Sequence, residues 1–378
     1  MIATFAPKYD VDACLEEIRE CLEKGWTGTG FKTIEFEEKW KEYTGLPNAH
    51  YLCNATAGLN MAVRILKEQN GWGDDSEIIS TPITFVATNN AVLVNNLKIV
   101  FADVDDTLCL DPDDVERRIT DKTKAVIFVG MGGNIGHYDK IAALCKKHEL
   151  KLILDAAHMA GTKYKGETPG KEADAVVYSY HVTKPLSTAD SGMLCFKEKQ
   201  YDELARKLSW NGMDKTSSPA KYDRHYRWKI NVLCVADAYN GNSVMAAIAL
   251  AQLPHLDEEN TYRRQLAVWY EEELSGCEKI TLVEEPEGCE SAHWLFQALV
   301  EDRDAIMEYM TEHGVSCALH YLDNTEYPMY AHLHGTCPKA EYVSEHAISL
   351  PMHLGLERKD IVYICQTLKQ YYKEKEQA

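Results

Sequence analysis

The sequence predicts an α/β fold, with a mainly parallel central sheet covered by helices and a smaller C-terminal α+β domain. Three observations predict it. From residue 50 to residue 196 short apolar runs alternate with longer amphipathic stretches, the pattern of parallel strands joined by crossover helices. The chain has 378 residues, more than one hydrophobic core usually serves. Beyond residue 250 the regular alternation stops and a different set of strands and helices follows. The expected division is therefore 1–250 for a large domain and 251–378 for a small one.

Residues 8–24 and 33–44 read as amphipathic helices flanking the loop Trp26-Thr27-Gly28-Thr29-Gly30. Strand 50–53 meets helix 55–68. Strand 77–80, helix 85–95, strand 98–102, helix 112–119, strand 124–129, helix 138–148 and strand 151–155 follow. Strands 174–178 and 192–196 complete the sheet. Residues 243–275 read as one long helix or a broken pair, because Pro254 removes a helix hydrogen bond. In the small domain 279–283, 292–300 and 315–320 read as strands, and 303–313 and 359–372 as helices.

Forty basic residues against 59 acidic ones give a formal net charge of −19. That balance argues against general binding of nucleic acid or of anionic membranes, which need a basic face. An anionic substrate requires a local basic patch. The start of the chain, Met1-Ile2-Ala3-Thr4-Phe5-Ala6-Pro7, is too short and weakly apolar for a signal peptide, and no apolar run reaches the length of a membrane span. Twelve cysteines are scattered without a C-x-x-C pair, several in apolar surroundings (Cys195, Cys234, Cys365). They read as free thiols in a reducing cytoplasm.

The chemistry is concentrated around Lys184, in Tyr178-Ser179-Tyr180-His181-Val182-Thr183-Lys184, with Asp155-Ala156-Ala157-His158 upstream. An Asp, then a Ser, then a Lys five residues after the Ser is the order of groups that holds pyridoxal 5′-phosphate (PLP). The Asp pairs with the pyridine nitrogen, the Ser binds the phosphate, and the Lys is the covalent attachment point. Asp155 ends an apolar strand, where a carboxylate is costly without a partner. His158 lies within reach of the same ring. Asn54-Ala55-Thr56-Ala57-Gly58-Leu59 caps and opens a helix, whose free N–H groups, with the Thr56 hydroxyl, favour an anion. Phe85, after strand 77–80 and Pro82, is placed to stack on a flat cofactor. A competing signal is Gly130-Met131-Gly132-Gly133-Asn134-Ile135-Gly136, which with Asp155 imitates a dinucleotide-binding fingerprint. A nicotinamide-dependent oxidoreductase is the alternative it supports, although it leaves Ser179, Lys184 and the Thr56 helix without roles.

Together these motifs resemble the PLP-dependent nucleotide-sugar aminotransferases of fold type I, the DegT-like group, from about residue 20 to 372. The resemblance rests on Trp26-Thr27-Gly28-Thr29-Gly30, on the Asn54–Leu59 block, and on Pro82-Ile83-Thr84-Phe85-Val86-Ala87-Thr88. Phe101-Ala102-Asp103-Val104-Asp105, the Asp155 and Lys184 blocks, Ala246-Ala247-Ile248-Ala249-Leu250-Ala251-Gln252-Leu253 and Ser349-Leu350-Pro351 extend it. It implies that Lys184 carries the cofactor, that Asp155 pairs with the pyridine nitrogen, and that Phe85 and His158 flank the ring. It implies that Thr56, Ala57 and Ser179 hold the phosphate. It further implies that Asn240 reaches the phosphate of a neighbouring subunit, and hence a homodimer with shared active sites. The expected substrates are glutamate and a keto-sugar on a nucleoside diphosphate, used in a ping-pong cycle.

The chain departs from the family pattern around Tyr239-Asn240, at Gly130-Met131-Gly132-Gly133, at Ser191, and on the sugar side at His320 and Tyr321, all of which bear on the substrate. The densest basic stretch, 215–229, contains Arg224 and Arg227 among Tyr222, Tyr226 and Trp228. It is the candidate diphosphate site. A sugar dehydratase of the same fold is a second alternative, but that branch carries His where Lys184 stands. A non-catalytic regulator is a third, against which the intact Lys, Asp and Ser set argues.

Overall fold

The computed structural model describes residues 1–214 and 231–377. The helices are α1 (Val11–Glu23), α2 (Phe31–Thr44), α3 (Ala55–Asn70), α4 (Ala87–Leu93), α5 (Pro112–Arg118), α6 (Tyr138–Lys147), α7 (Lys199–Leu208), α8 (Ser243–Gln252), α9 (Leu256–Leu274), α10 (Arg303–Glu312), α11 (Pro338–His346) and α12 (Arg358–Gln377). The strands are β1 (His50–Leu52), β2 (Glu77–Ser80), β3 (Lys98–Phe101), β4 (Thr123–Val129), β5 (Lys151–Asp155), β6 (Lys163–Tyr164), β7 (Ala175–Ser179), β8 (Gly192–Phe196), β9 (Met213–Asp214), β10 (Asn231–Val232), β11 (Ile280–Leu282), β12 (Cys289–Glu290), β13 (Phe296–Val300) and β14 (Ala347–Leu350).

Seven strands form the central sheet in the order β1-β8-β7-β5-β4-β2-β3. β7, β5, β4, β2 and β3 pair in parallel, while β8 is antiparallel to both β7 and β1. The mainly parallel α/β sheet expected from the sequence is therefore present, with β8 as the reversed strand. Its central strands are buried on both faces, as helix-covered parallel strands are.

The apolar core divides in two. One cluster surrounds the large sheet and takes in Tyr330, Cys337, Ala340, Val343 and Ala347 from late in the chain. The other packs α9, α10 and α12 on the antiparallel sheet β11-β13-β14. Pro254 sits in a single 3₁₀ turn, Leu253–His255, which separates α8 from α9, so the long helical stretch is a broken pair. The N-terminal segment joins the second unit: Ile2 bridges Val315, and Met352 N–H donates to the Thr4 carbonyl. Among the described residues no helix is long and apolar enough to cross a membrane, and all twelve cysteines are free thiols.

Several expected elements differ. Residues 315–320 are not a strand. Ala318 exchanges one pair of backbone hydrogen bonds with Ser349, and the chain then turns toward the large sheet at His320. The third strand of the small sheet is β14, whose four residues are all buried. The helix expected at 8–24 starts at Val11 because the Asp10 carboxylate accepts the Ala13 N–H at 3.0 Å, a standard N-cap. The helix expected at 85–95 is only Ala87–Leu93, which leaves Phe85 in the loop after β2. α7 and α11 had no counterpart in the sequence reading.

Candidate active site

The carboxyl ends of the parallel strands gather most of the predicted residues, as open α/β sheets do with their ligands. Asp155 is the last residue of β5 and stands level with Val129 of β4 and Val177 of β7. Ser179 ends β7 and pairs with Gly192 of β8. β1 leads directly into Asn54, whose side chain accepts the Ala57 N–H at 2.9 Å and caps α3.

Small residues bring the start of α3 down onto this edge. A Cβ on Gly192 would lie 2.6 Å from the Ala55 nitrogen, and one on Gly58 would lie 2.8 Å from Val177. The α3 N-terminus therefore sits beside Ser179, with Thr56 exposed in its first turn. Amide N–H groups, the helix dipole and hydroxyls converge there, the means by which a helix start binds phosphate. Gly192→Ala should push β8 off α3, cost about 1–3 kcal/mol of stability by overpacking, and weaken cofactor retention. Thermal melts with and without added PLP would show both effects; an unchanged melting temperature would refute the close-packing account.

Asp155 is buried. Its Oδ2 accepts from Thr88 Oγ1 at 2.7 Å and its Oδ1 from Ala157 N–H at 3.1 Å. Burial pushes its carboxyl above the usual range, opposed by these hydrogen bonds and by the Lys184 charge. A cationic N–H partner would relieve that cost. Burial pushes the Lys184 amine well below the usual lysine value, opposed by Asp155. The neutral, nucleophilic form is correspondingly favoured.

The opposite wall comes from late in the chain. His158 is buried and accepts the Gly132 N–H on Nδ1 at 3.3 Å, which assigns its proton to Nε2, 3.4 Å from the Tyr321 hydroxyl. Burial first, then Lys184 and His320, depress its pKa; the ring is neutral. His320 is pushed down to about 4, by burial and then by Lys184, and its Nδ1 lies 3.0 Å from Ser349 Oγ. Phe85 is 56% exposed and inclined to Tyr321 at 6.0 Å between ring centroids. It offers an aromatic face to the crevice.

Asn240 lies beside β1 through a backbone bridge to Leu52, and its Oδ1 accepts from Ser209 Oγ at 2.8 Å. Arg224 and Arg227 lie outside the described residues. The glycine-rich loop that imitates a dinucleotide fingerprint is covered by the C-terminal chain. A Cβ on Gly133 (φ +106°) would meet Ser291 Oγ at 2.9 Å and the His293 nitrogen at 3.0 Å, and Asn134 Nδ2 donates to the Glu284 carbonyl at 2.7 Å. These glycines let the two parts of the chain approach each other. Two residues of the site were not singled out from the sequence. Thr88 lies within the Pro82–Thr88 motif without a signal of its own, and Trp294, beside Lys184, has no local signal in the sequence.

The chain matches the DegT/DnrJ/EryC1/StrS aminotransferase family over residues 9–369. It belongs to that family. Among solved structures it is similar to the putative sugar aminotransferase Spr1654 of Streptococcus pneumoniae in its PMP form, at 27% identity and a TM-score of 0.90, covering 98% of this chain and 99% of that one. It is likewise similar to PseC of Helicobacter pylori, an aminotransferase of pseudoaminic acid biosynthesis, at 26% identity and a TM-score of 0.91 over 99% of both chains. A third is the sugar aminotransferase CalS13 of Micromonospora echinospora, at 25% identity and a TM-score of 0.90, covering 98% of this chain and all of that one.

The protein is thus a PLP-dependent aminotransferase of the sugar-modifying kind, with the fold of type I enzymes. Spr1654 is also known in a PLP form, to which this chain is 26% identical. The residues at the sheet edge suit that cofactor: a buried carboxylate, an amine depressed by burial, a helix start suited to an anion and an exposed aromatic face.

Proposed function

We propose that the enzyme moves an amino group from glutamate to a keto-sugar carried on a nucleoside diphosphate, in two half-reactions through one site. The observation that carries this reading is the gathering of the buried Asp155, of Ser179 with the Lys184 turn that follows it, and of the capped start of α3 at the carboxyl edge of one parallel sheet. Bound PLP supplies an electron sink and a carrier for the amino group. Lys184 anchors it, and its Nζ then moves the proton that must leave and rejoin the substrate carbon. Asp155 keeps the pyridine nitrogen protonated. Thr56, Ala57 and Ser179 bind the phosphate, Phe85 stacks on the ring, and His158 flanks it as a neutral donor through Nε2.

His320 and Tyr321 face the sugar side. Asn240 completes a phosphate site across a homodimer interface, and the boundary between the two domains falls near residue 250. A set of nucleoside-diphosphate keto-sugars incubated with glutamate tests the reading. An amino sugar and 2-oxoglutarate are expected, and exchange only between amino acids and keto acids would refute the sugar acceptor.

In a chain of net charge −19, the diphosphate needs local cations. Arg224 and Arg227 supply them in this proposal. Because Arg–phosphate pairs are charge-assisted, removing either side chain should cost about 2–3 kcal/mol of sugar-substrate binding. Arg224→Ala and Arg227→Ala should each raise KM for the sugar nucleotide strongly and leave the glutamate half-reaction nearly unchanged. Wild-type values for both half-reactions in both variants would remove this stretch from the site.

A further inference from the structure

We propose that Trp294 positions Lys184: its indole N–H pins the turn carrying the lysine, and its ring face receives the ε-amine when that amine is not joined to the cofactor. The inference rests on Lys184 being the PLP-bearing lysine. Trp294 is 4% exposed and lies just before β13. Its Nε1–H donates to the Thr183 carbonyl at 2.8 Å, the bond a buried indole requires, and one residue from the lysine.

The other flank of the turn is approached from α9. Arg263 reaches the Pro185 carbonyl at 3.5 Å and is steadied by Asn260 Oδ1 at 2.8 Å and by Glu259 at 3.7 Å. Lys184 N–H closes the turn itself, donating to the His181 carbonyl at 2.8 Å. The backbone on either side of Lys184 is therefore held by groups from beyond residue 256.

The ring does a second job. Lys184 Nζ stands 3.2 Å from the Trp294 ring centroid. Phe5 stacks on Trp294 at 5.6 Å with an interplanar angle of 11°, and the His158 ring lies 4.0 Å away, so the indole is wedged in place. An aromatic face receives the N–H groups of an amine, charged or neutral, without accepting its proton. Unlike a carboxylate, it holds the side chain ready without fixing it as an ion pair.

The test uses cofactor-free enzyme, in wild-type, Trp294→Phe and Trp294→Leu forms, mixed with PLP. Attachment is followed by absorbance: the ε-amine adds to the aldehyde carbon, water leaves, and a C=N bond remains. Affinity for pyridoxamine phosphate, which has no aldehyde for the lysine to attack, is measured separately. Trp294→Leu should attach PLP about tenfold more slowly, and Trp294→Phe, which keeps the aromatic face but loses the N–H bond to Thr183, should fall between it and wild type, about threefold slow. Pyridoxamine phosphate affinity should change by no more than about twofold in either variant. Trp294→Met replaces the leucine variant if that one does not fold.

Wild-type attachment in the leucine or methionine variant overturns the proposal. So does a parallel loss of pyridoxamine phosphate affinity, or a phenylalanine variant as slow as the leucine one. If borohydride fixes the cofactor on a lysine other than Lys184 in the wild-type enzyme, the assignment of Lys184 falls together with this inference. With the label on Lys184, only the role of Trp294 is at stake.

Discussion

Lys184→Ala is expected to eliminate turnover while the protein still binds PLP through its phosphate and ring contacts. Wild-type enzyme should be yellow, lose that colour on treatment with borohydride, and yield a labelled peptide containing Lys184. The physical basis is the environment of the amine. Burial lowers its pKa well below that of an exposed lysine, so a larger neutral fraction exists near pH 7, and no second lysine in the Ser179-to-Lys184 block can replace it. Proton transfer at the substrate carbon needs a base held within reach, and alanine supplies none. Recovery of the label on another lysine would refute the assignment.

Asp155→Asn should lower the rate by about 10³-fold or more, because preorganised charge supplies a large part of catalysis in buried sites. The substitution is nearly isosteric: the amide oxygen can still accept the Ala157 N–H, and the new NH2 can donate to the Thr88 hydroxyl, whose own proton then turns to Thr84. What is lost is the negative charge that, in the proposed mechanism, would keep the pyridine nitrogen protonated. The variant should therefore fold and bind PLP, and fail in the rate of both half-reactions. Near-normal kinetics would mean that Asp155 is merely a polar strand end.

The sheet, and the edge at which it gathers the candidate residues, were legible because each signal is local. Strand ends, Gly-rich turns and the Asp155, Ser179 and Lys184 blocks each occupy a few consecutive residues, and the sheet then brings them together. The far wall was not legible. Thr88, Trp294 and Arg263 act through partners 67, 111 and 78 positions away, and no periodicity marks such pairs. The glycines at 130–136 competed for a related reason. Gly133 serves a close approach to Ser291 and His293, its neighbours approach Met159, Leu295 and Cys109, and a glycine needed for packing looks in sequence like one needed for a phosphate. The strand expected at 315–320 failed because β propensity does not reveal whether a neighbouring strand offers more than a single bridge. β14 took that place with four buried residues.

The stitching of the first residues to the last third of the chain bears on how the enzyme is made. Ile2 donates to the Gly314 carbonyl and accepts from Ser316 N–H, and Thr4 meets Ser316 and Met352. On the ribosome Ile2 and Thr4 emerge before these partners and must wait, unpaired, while more than three hundred residues follow. The large sheet can condense during synthesis, since domains fold as units in the order they are made, but the wall formed by Phe5, Trp294 and His320 cannot. Assembly of the catalytic crevice is thus a late, long-range closure that costs loop entropy, and a nascent chain released early would carry the lysine but not the wall that houses it.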